Sequence, residues 1–287
     1  MFTLSIEDPL YPERLREMYR PPSRLYGVGN LDLLKRPLLA VVGTRRSSPL
    51  SKMIAEKIIP DLVRSGFVIV SGLARGVDTL AHEMALRSGG DTIAILGSGL
   101  DQIYPAENHH LAKQISEKGL LLTEYAASIP PRPWHFPMRN RIIAGLTQGT
   151  WVLEAPLKSG ALITADMALE EGREVFATPG SPLDEKYQGC NKLIREGGAK
   201  LVVQSLDILE EFGLDLPSST NASSLSFSLS KEEDAILTLF SLGYPLHLDR
   251  LVEKSGEKVF RVAGLLSELC LKGVLEEVPG NHFLRRV

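Results

Sequence analysis

The sequence LLAVVGTRRSS, at residues 38–48, joins an aliphatic run to a glycine-led turn that carries two arginines. Two further stretches follow the same plan, FVIVSGLARG at 67–76 and TIAILGSG at 92–99. The segment between the first two, MIAEKIIPDLVRSG, has the apolar spacing of an amphipathic helix. Short aliphatic runs that alternate with helical patterns are typical of βαβ units on a buried parallel sheet.

The same alternation continues through the middle of the chain. Further aliphatic runs are LLLTE at 120–124, TWVLEA at 150–155, EVFATPG at 174–180 and AKLVVQ at 199–204. We therefore predict an α/β fold for residues 38–212, a Rossmann-like open and mostly parallel sheet with helices on both faces. Residues 1–37 are predicted to form an N-terminal extension that packs on this core, with an edge strand at 25–29.

The last quarter of the chain has a different composition. Residues 213–230 hold seven serines and neither Lys nor Arg, which is typical of a flexible linker. Three short helical patterns follow, at 231–242, 247–254 and 259–272, and the sequence GVLEEVPGNHFLRRV then predicts a hairpin. We predict a small winged-helix-like domain at 231–287.

Composition narrows the function classes. The net charge of −3 over 287 residues argues against a protein that coats duplex DNA by bulk charge, although it allows a local basic groove. Apolar runs stay below the roughly 18 residues that a membrane span needs, and the N-terminus lacks a signal-peptide pattern. The two cysteines, Cys190 and Cys270, are far apart, which fits a reducing compartment. We expect a cytoplasmic protein without a membrane span.

Two of the glycine-ended strands are followed by turns that suit phosphate groups. Glycine allows close approach, the next helix offers free N–H groups, and arginine adds a bidentate donor. The candidate residues are Gly43, Thr44, Arg45, Arg46, Ser71, Gly72, Arg75 and Gly76. The alternative is that these glycines only make tight turns between strand and helix. Gly97-Ser98-Gly99 lacks the third glycine of a dinucleotide fingerprint, so we expect no nucleotide cofactor.

The sequence PRPWHFPMRNRIIAGL, at residues 131–146, places basic groups among aromatic ones. With the nearby Lys158-Ser159-Gly160 it supplies the candidates Arg132, Arg139, Asn140, Arg141, Lys158, Ser159 and Gly160. Basic groups beside exposed rings suit a site for single-stranded nucleic acid, because the rings can stack on bases. There are structural alternatives for several of these residues. Trp134 and Phe136 could form a packing plug, and one of the arginines could be a structural ion-pair partner. Ser159 could be an ordinary helix cap.

The sequence offers little for catalysis. Asp78 and His82 are four residues apart on one predicted helix face, but they lack a third ligand with matching spacing. We expect a cap and a packed histidine there, and no metal site. Glu154 ends a predicted strand without a second carboxylate beside it, so we expect it to be structural or to orient a loop. The chain is therefore not expected to be an enzyme.

Six separated motifs give the chain a close resemblance to the DNA-processing protein A family, also called DprA or Smf. They are VGTRRSS, SGLARGVDTLAH, GLDQIYPAEN, FPMRNRIIAGL, EAPLKSGALITADMALEEGREVFATPG and QGCNKLIREGGAKLV, and together they cover about residues 1–213. The resemblance implies a core that binds single-stranded DNA, protects incoming DNA and loads RecA recombinase during natural transformation. It also implies a homodimer, with contacts at about 191–209, and no established catalytic activity.

Position by position, the resemblance assigns the candidate residues above to a DNA-binding pocket. The first and second glycine-led loops, the segment Arg139-Asn140-Arg141 and the loop Lys158-Ser159-Gly160 match family motifs, and family members often place another basic group where Arg132 lies. The C-terminal module departs from a DNA-binding winged helix, since it has eight basic and nine acidic residues. A role in protein contacts and a role in duplex sensing both remain open for it.

Two other functions compete with single-strand binding. The first is a nucleotide-processing enzyme related to the lysine-decarboxylase-like phosphoribohydrolases, although Thr178-Pro179-Gly180-Ser181-Pro182 lacks part of their glycine-rich helix start. The second is a transcriptional regulator whose winged helix binds an operator. The acidic composition of the C-terminal module counts against the second.

Overall fold

The computed structural model describes residues 1–215, 229–240 and 244–285. The chain forms two compact units, 1–217 and 218–287. Most of the predicted serine-rich linker, residues 216–228, lies outside the described residues. Within the described ranges, no helix combines the length and the apolar character needed to cross a membrane.

Nine strands of the first unit make one sheet. They are β1 (Phe2–Ser5), β2 (Arg24–Gly29), β3 (Leu38–Gly43), β4 (Val68–Ser71), β5 (Thr92–Ile95), β6 (Leu120–Thr123), β7 (Gly149–Glu154), β8 (Glu174–Ala177) and β9 (Lys200–Leu201). Their order is β1-β2-β6-β5-β4-β3-β7-β8-β9. The strands from β6 to β9 in this order pair in parallel, whereas β1 with β2 and β2 with β6 pair antiparallel. The predicted open, mostly parallel sheet is confirmed.

Helices precede or follow most of these strands along the chain. They are α1 (Glu13–Arg16), α2 (Pro49–Arg64), α3 (Val77–Arg87), α4 (His109–Lys118), α5 (His135–Leu146), α6 (Gly160–Glu170), α7 (Gln188–Arg195) and α8 (Leu206–Leu209). The start of α2 shows how the sequence sets a boundary. Ser48 has an extended backbone, its side chain accepts a hydrogen bond from the Ser51 N–H, and Pro49 occupies the first helical position.

Apolar layers lie on both faces of the sheet. One contains Val70, Ile143 and Leu25, and the other contains Leu39, Ile59 and Trp151, all of them almost fully buried. A strand that is covered on both faces needs apolar residues at successive positions, which explains why the runs are continuous rather than alternating. The sheet is therefore rigidly held between helices, and its ends carry the loops.

The N-terminal extension differs from its prediction in one respect. The strand predicted at 25–29 is β2, which lies inside the sheet rather than at its edge. Its outer neighbour is β1, where Leu4 pairs with Leu25 and is 3% exposed. The edge-strand prediction is wrong because the first five residues bury an apolar side chain by adding a strand, a long-range pairing that spacing along the chain does not reveal.

The second unit has the predicted three helices and a hairpin. Its elements are α9 (Lys231–Leu237), β10 (Leu246–His247), α10 (Leu248–Ser255), α11 (Val259–Leu271), β11 (Leu275–Val278) and β12 (His282–Arg285). The strands form a small sheet in the order β10-β12-β11. A capping box begins α9, because the Ser230 side chain accepts from the Glu233 N–H and the Glu233 carboxylate accepts from the Ser230 N–H. This is a winged helix.

Candidate nucleic-acid interface

The strand order changes direction between β3 and β7. From β3 the chain proceeds to β4, β5 and β6 on one side, whereas β7, β8 and β9 follow on the other. Open α/β sheets bind ligands outside the carboxyl ends of the strands, at such a point. A cleft of about 350 Å³ opens there, between the loops that follow β3 and β7.

The loop after β3 is fixed to its neighbours through its backbone. The Thr44 N–H donates to the Glu154 carbonyl at 2.7 Å, and the Val77 N–H donates to the Thr44 carbonyl at 3.1 Å. A Cβ on Gly43 would lie 2.6 Å from a methyl carbon of Val77 and 2.7 Å from the Glu154 carbonyl oxygen. Packing between strand ends therefore requires this glycine. The side chain of Arg45, which follows Thr44 in this loop, is exposed at the cleft.

Glu154 holds the other end of the same loop. Its side chain is fully buried, and Oε2 accepts hydrogen bonds from the Ser48 N–H at 2.9 Å and the Ser48 hydroxyl at 2.6 Å. Because Ser48 is also the cap of α2, one carboxylate joins β7, the loop and the helix. Glu154 therefore orients the loop, which is the role expected for it from its position at the end of a strand.

The loop after β4 is built around a buried arginine. The Nη1 atom of Arg139 donates to the Gly72 carbonyl at 2.6 Å and to the Ile95 carbonyl, so one guanidinium joins the ends of β4 and β5. A Cβ on Gly72 would lie 2.3 Å from Nη2 of Arg139. Gly72 therefore makes room for an internal guanidinium. Arg139 itself is only 4% exposed.

A buried carboxylate lies beside this guanidinium. Oδ2 of Asp78 accepts from the backbone N–H groups of Gly72 at 3.1 Å and Ala74 at 3.3 Å. Burial raises the pKa of Asp78, and the positive charge of Arg139 opposes that rise. Burial also lowers the pKa of Arg139 to about 10. This value is still well above neutral pH, so the guanidinium stays charged. Both residues line the cleft, which therefore contains a buried carboxyl group beside a buried guanidinium.

The two residues that follow Arg139 on α5 have different surroundings. Asn140 lines the cleft, and its Oδ1 accepts from Nε of Arg139 at 3.2 Å. Arg141 does not line the cleft. It forms an ion pair with Glu124 and donates to the Arg20 carbonyl at 3.0 Å. The alternative of a structural ion-pair partner thus holds for Arg141, because successive helix residues are about 100° apart around the axis.

The loop before α6 supplies the opposite wall. The Ser159 side chain accepts from the Ala161 N–H at 3.3 Å and so caps the helix, while Ser159 also lines the cleft. Lys158 is exposed, and α6 has no acidic residue in its first turn. A Cβ on Gly160 would meet nothing within 4 Å. A cation and a helix N-terminus therefore face open space, which favours an anionic ligand.

Aromatic side chains border the cleft. The guanidinium carbon of Arg45 lies 5.8 Å from the centre of the Phe136 ring, and the Tyr104 ring lies 5.4 Å from the Phe136 ring. Tyr104 is 44% exposed. Arg75, at the same border, forms an ion pair with Glu107. Its charge is therefore partly satisfied within the protein.

Trp134 and Arg132 extend this border along the chain. Trp134 is 58% exposed, and the Arg132 guanidinium lies 5.4 Å from its ring. The alternative of a packing plug is wrong for Trp134, because more than half of its side chain faces solvent.

The predicted site residues divide into three groups. Those that line the cleft are Gly43, Thr44, Arg45, Arg139, Asn140, Lys158, Ser159 and Gly160. Those that line a smaller adjoining recess, with Tyr104 and Phe136, are Gly72 and Arg75, together with Arg45 again. Those that line neither are Arg46, Ser71, Gly76, Arg132 and Arg141. The tertiary structure thus joins four separate sequence segments at one edge of the sheet.

Two members of the third group have evident structural roles. The Ser71 hydroxyl donates to the Val41 carbonyl at 2.7 Å, which ties β4 to β3. Gly76 has a φ of +73°, and a Cβ there would lie 2.3 Å from the Thr44 carbonyl oxygen. Both the positive φ and the close approach require glycine.

Tyr104 and Ile163 face the site although the sequence pattern does not single them out. Tyr104 follows β5, whose glycine-ended run places its loop at the same sheet edge. That position is the signal that identifies it. Ile163 is 43% exposed on α6 and lines the cleft. An exposed apolar residue in a helix that is apolar along most of its length has no equally clear signal.

Asp78 and His82 have the roles of a turn-holding carboxylate and a packed histidine. Nδ1 of His82 lies 2.7 Å from the Thr92 hydroxyl, and burial lowers the pKa of His82 to about 3. Among the residues that the structure describes, no group of three His, Cys, Asp or Glu side chains is arranged to hold a metal ion.

Comparison with protein families gives two matches. The model of the DNA recombination-mediator protein A family matches residues 2–213, and that of the DprA winged helix domain matches residues 220–281. DNA processing protein DprA of Streptococcus pneumoniae is 51% identical over 73% of this chain and 74% of its own. Protein Smf of Escherichia coli is 38% identical over 98% of this chain and 76% of its own.

Two solved structures resemble the first unit. The crystal structure of DNA processing protein A from Streptococcus pneumoniae superposes with a TM-score of 0.71, covering 73% of this chain and 74% of that one. DNA processing protein A from Helicobacter pylori, reported for its single-stranded DNA binding mode, gives a TM-score of 0.65 at 34% identity. This match covers 70% of the present chain and 92% of the Helicobacter chain.

Proposed function

Because the chain belongs to the DNA recombination-mediator protein A family, also named DprA or Smf, we propose that it binds single-stranded DNA in the cleft at the sheet edge. In this proposal the protein protects incoming DNA and loads RecA recombinase during natural transformation and recombination. It acts by binding and catalyses no reaction. The Helicobacter pylori relative, whose structure was determined for its single-stranded DNA binding mode, supports the choice of ligand.

One observation carries the proposal. Arg45 and Lys158, which come from loops more than a hundred residues apart, are both exposed on a single cleft. Neither forms an ion pair within the part of the chain that the structure describes. Cations without carboxylate partners, beside the N-terminus of α6, suit the phosphates of a nucleic-acid backbone.

The border of the cleft supports a single strand over a duplex. Phe136, Tyr104 and Trp134 present ring surface next to Arg45 and Arg132. Base faces are available for stacking on such rings only where the bases are unpaired, and each stack contributes about 1–3 kcal/mol. The cleft volume of about 350 Å³ accommodates a nucleotide rather than a double helix.

The sheet edge opposite β1 supports the proposed homodimer. β9 ends the sheet order; its Leu201 is 45% exposed, and Val203, two residues further on, is 60% exposed. An exposed strand edge with apolar neighbours is suited to pairing with a second copy. The proposed contact is residues 191–209, the region that the family resemblance implies.

The buried polar residues support a function without catalysis. Asp78 and Glu154 both accept hydrogen bonds from backbone N–H groups, and the fully buried His82 contacts the Thr92 hydroxyl. Each of the three side chains holds a loop or a strand in place through its hydrogen bonds. RecA recombinase as partner and the cytoplasm as location are part of the same proposal, and the family resemblance supports both.

A salt titration tests the proposal. Fluorescence anisotropy would compare a labelled single strand with the matching duplex, using the full chain and its Arg45→Ala/Arg46→Ala double variant. We expect tighter single-strand binding that falls with salt, and weaker binding with a flatter salt slope in the variant. The matched control is Arg64→Ala/Arg87→Ala, which removes two exposed arginines from the last turns of α2 and α3.

Two results would contradict the proposal. Equal affinity of the parent and the Arg45→Ala/Arg46→Ala variant for single strands would show that the cleft is not the site. Reproducible cleavage of nucleoside monophosphates would show an enzyme. A third outcome, stronger binding to duplex than to single strand, would favour a regulator.

A further inference from the structure

A second cavity, of about 400 Å³, lies at the other edge of the sheet, where the strands begin. Its lining includes Arg14 of α1, Arg36 and Leu38 at the start of β3, and Arg173 just before β8. β3 runs from this cavity at Leu38 to the cleft at Gly43, a length of roughly 20 Å. The two sites are therefore separate.

Two of these arginines, Arg14 and Arg173, lie close together. Nη2 of Arg173 donates to the Arg14 carbonyl at 3.4 Å, and Nε of Arg173 is buried with no hydrogen-bond partner in the described part of the chain. Within the same residues neither Arg14 nor Arg173 forms an ion pair, whereas Arg36 is paired with Asp91. Buried donors in folded proteins are normally satisfied, so this Nε is an exception that needs a partner.

The electrostatics of the pair point to an anion. The pKa of Arg14 is lowered by burial and then by the charge of Arg173, and the attraction of Glu17 only partly offsets this. Glu13 and Glu17, the acidic residues of the lining, are exposed at its rim. A bound anion between the two guanidiniums would remove their mutual repulsion and satisfy the buried Nε.

The shape of the cavity narrows the ligand class. An apolar wall lies beside the arginines, made by the partly exposed Leu34 with the buried Pro12, Leu38 and Leu146 behind it. Its volume falls within the range of small-molecule sites, about 300–1,000 Å³, and exceeds what a lone phosphate fills. A phosphate monoester carries close to two negative charges at neutral pH, which matches two guanidiniums.

We propose that this cavity is a second anion site that takes a free nucleoside phosphate. The phosphoryl group lies between Arg14 and Arg173, and the sugar or base packs against the apolar wall. The family matches give no role to Arg14 or Arg173, and neither residue lines the cleft at the opposite edge of the sheet.

Calorimetric titration with 2′-deoxyadenosine 5′-monophosphate tests the site. The Arg45→Ala/Lys158→Ala variant of the full chain serves as background, so that the cleft does not contribute. We expect binding in this background that weakens roughly tenfold or more when Arg14→Gln/Arg173→Gln is added, because two charge-assisted contacts are lost. Arg87→Gln, an exposed arginine outside the cavity, is the matched control and should leave the affinity unchanged.

Further arms separate the possible outcomes. Inorganic phosphate should bind more weakly than the nucleotide, and chloride at matched ionic strength should not compete. If folding of the double variant is impaired, as judged by its thermal midpoint, Arg14→Gln alone replaces it, since Arg14 is only partly buried.

Three results would overturn the proposal. They are no nucleotide binding in the background, equal binding in the arginine variants, and binding of inorganic phosphate as tight as that of the nucleotide. A loss of single-strand affinity caused by Arg14→Gln/Arg173→Gln in the otherwise unchanged chain would instead assign the cavity to the DNA strand. Since the titration uses no DNA, its failure leaves the proposed function of the cleft untouched.

Discussion

The cleft of the first unit and helix α11 of the winged helix use their basic residues in opposite ways. At the cleft, Arg45 and Lys158 are exposed and face open space. In the winged helix, Arg261 on α11 is paired with both Glu232 and Glu257, and Lys272 is paired with Glu233. The third helix of a DNA-binding winged helix normally presents its cations to the groove.

The surface of α11 strengthens this contrast. Phe260 is 74% and Leu271 is 88% exposed. Exposed apolar residues and internally paired cations are poor groups for binding phosphates. The difference teaches that counting basic residues is a weak guide to nucleic-acid binding, because what matters is whether each cation has already found a carboxylate partner.

Replacing Arg139 is the most severe way to disturb the cleft. Arg139→Ala leaves Asp78 buried without its positive neighbour and frees two strand-end carbonyls, so we expect a loss of about 3–5 kcal/mol in the free energy of unfolding. Urea denaturation followed by tryptophan fluorescence measures this, because Trp134 and Trp151 both lie in the first unit.

Two further variants sharpen the result. Arg139→Lys should not restore stability, since one ammonium lacks the forked geometry of the guanidinium. Arg261→Ala on the winged helix, whose side chain is 49% exposed, should change stability by about 1 kcal/mol or less. Equal losses in Arg139→Ala and Arg261→Ala would remove the contrast between the two units.

Removing the unpaired cations of the cleft should have the largest effect on DNA binding among variants that fold normally. Arg45→Ala/Lys158→Ala removes two charge-assisted phosphate contacts, so we expect the affinity for single-stranded DNA to fall roughly a hundredfold at low salt. Fluorescence anisotropy measures the change. An affinity within a few-fold of the parent's would locate the binding surface elsewhere.

Phe136→Ala tests the aromatic border. We expect a loss of about 1–3 kcal/mol in single-strand binding through one lost stack, with the salt slope unchanged because no charge is removed. Anisotropy titrations at several salt concentrations separate the two effects. A change in slope with unchanged affinity at low salt would show that the ring only positions Arg45, whose guanidinium lies 5.8 Å away.

A pH series tests the difference in burial between the units. Burial lowers the pKa of His82 to about 3, whereas an unfolded histidine has a pKa of about 6.5. The folded state therefore binds fewer protons, so this contribution to stability is complete above about pH 6.5 and is lost as the pH falls towards 3.

His82→Gln should reduce that loss. We expect the parent to lose up to roughly 1.4 kcal/mol per pH unit more than the variant between about pH 6 and 4. Urea denaturation at each pH measures the difference. His282→Gln, on the winged helix where the ring is not buried, should retain the pH dependence of the parent.

The smallest effect is expected from the winged helix itself. Lys254→Ala/Lys258→Ala removes one exposed cation from the end of α10 and one from just before α11, and should change single-strand affinity by roughly twofold or less at physiological salt. The same anisotropy assay applies. A loss as large as that of Arg45→Ala/Lys158→Ala would show that the winged helix contributes to the same DNA path.

Local sequence alone determined the core and the loops. Continuous aliphatic runs such as LLAVVG are stable only between two apolar layers, so they specified a parallel sheet before any contact was known. Glycine-led turns after these runs placed the site at the carboxyl edge of the sheet. The three helices and hairpin of the second unit followed in the same way from periodicity and turn residues.

Only the tertiary structure decided which residues face a ligand. Arg139, Asn140 and Arg141 are consecutive, yet the first ties two strands together, the second lines the cleft and the third pairs with Glu124. Strand order likewise placed β1 outside β2 and brought Lys158 opposite Arg45. Residue type and spacing are local properties, whereas the partner that a charge finds depends on which distant segments the sheet makes neighbours.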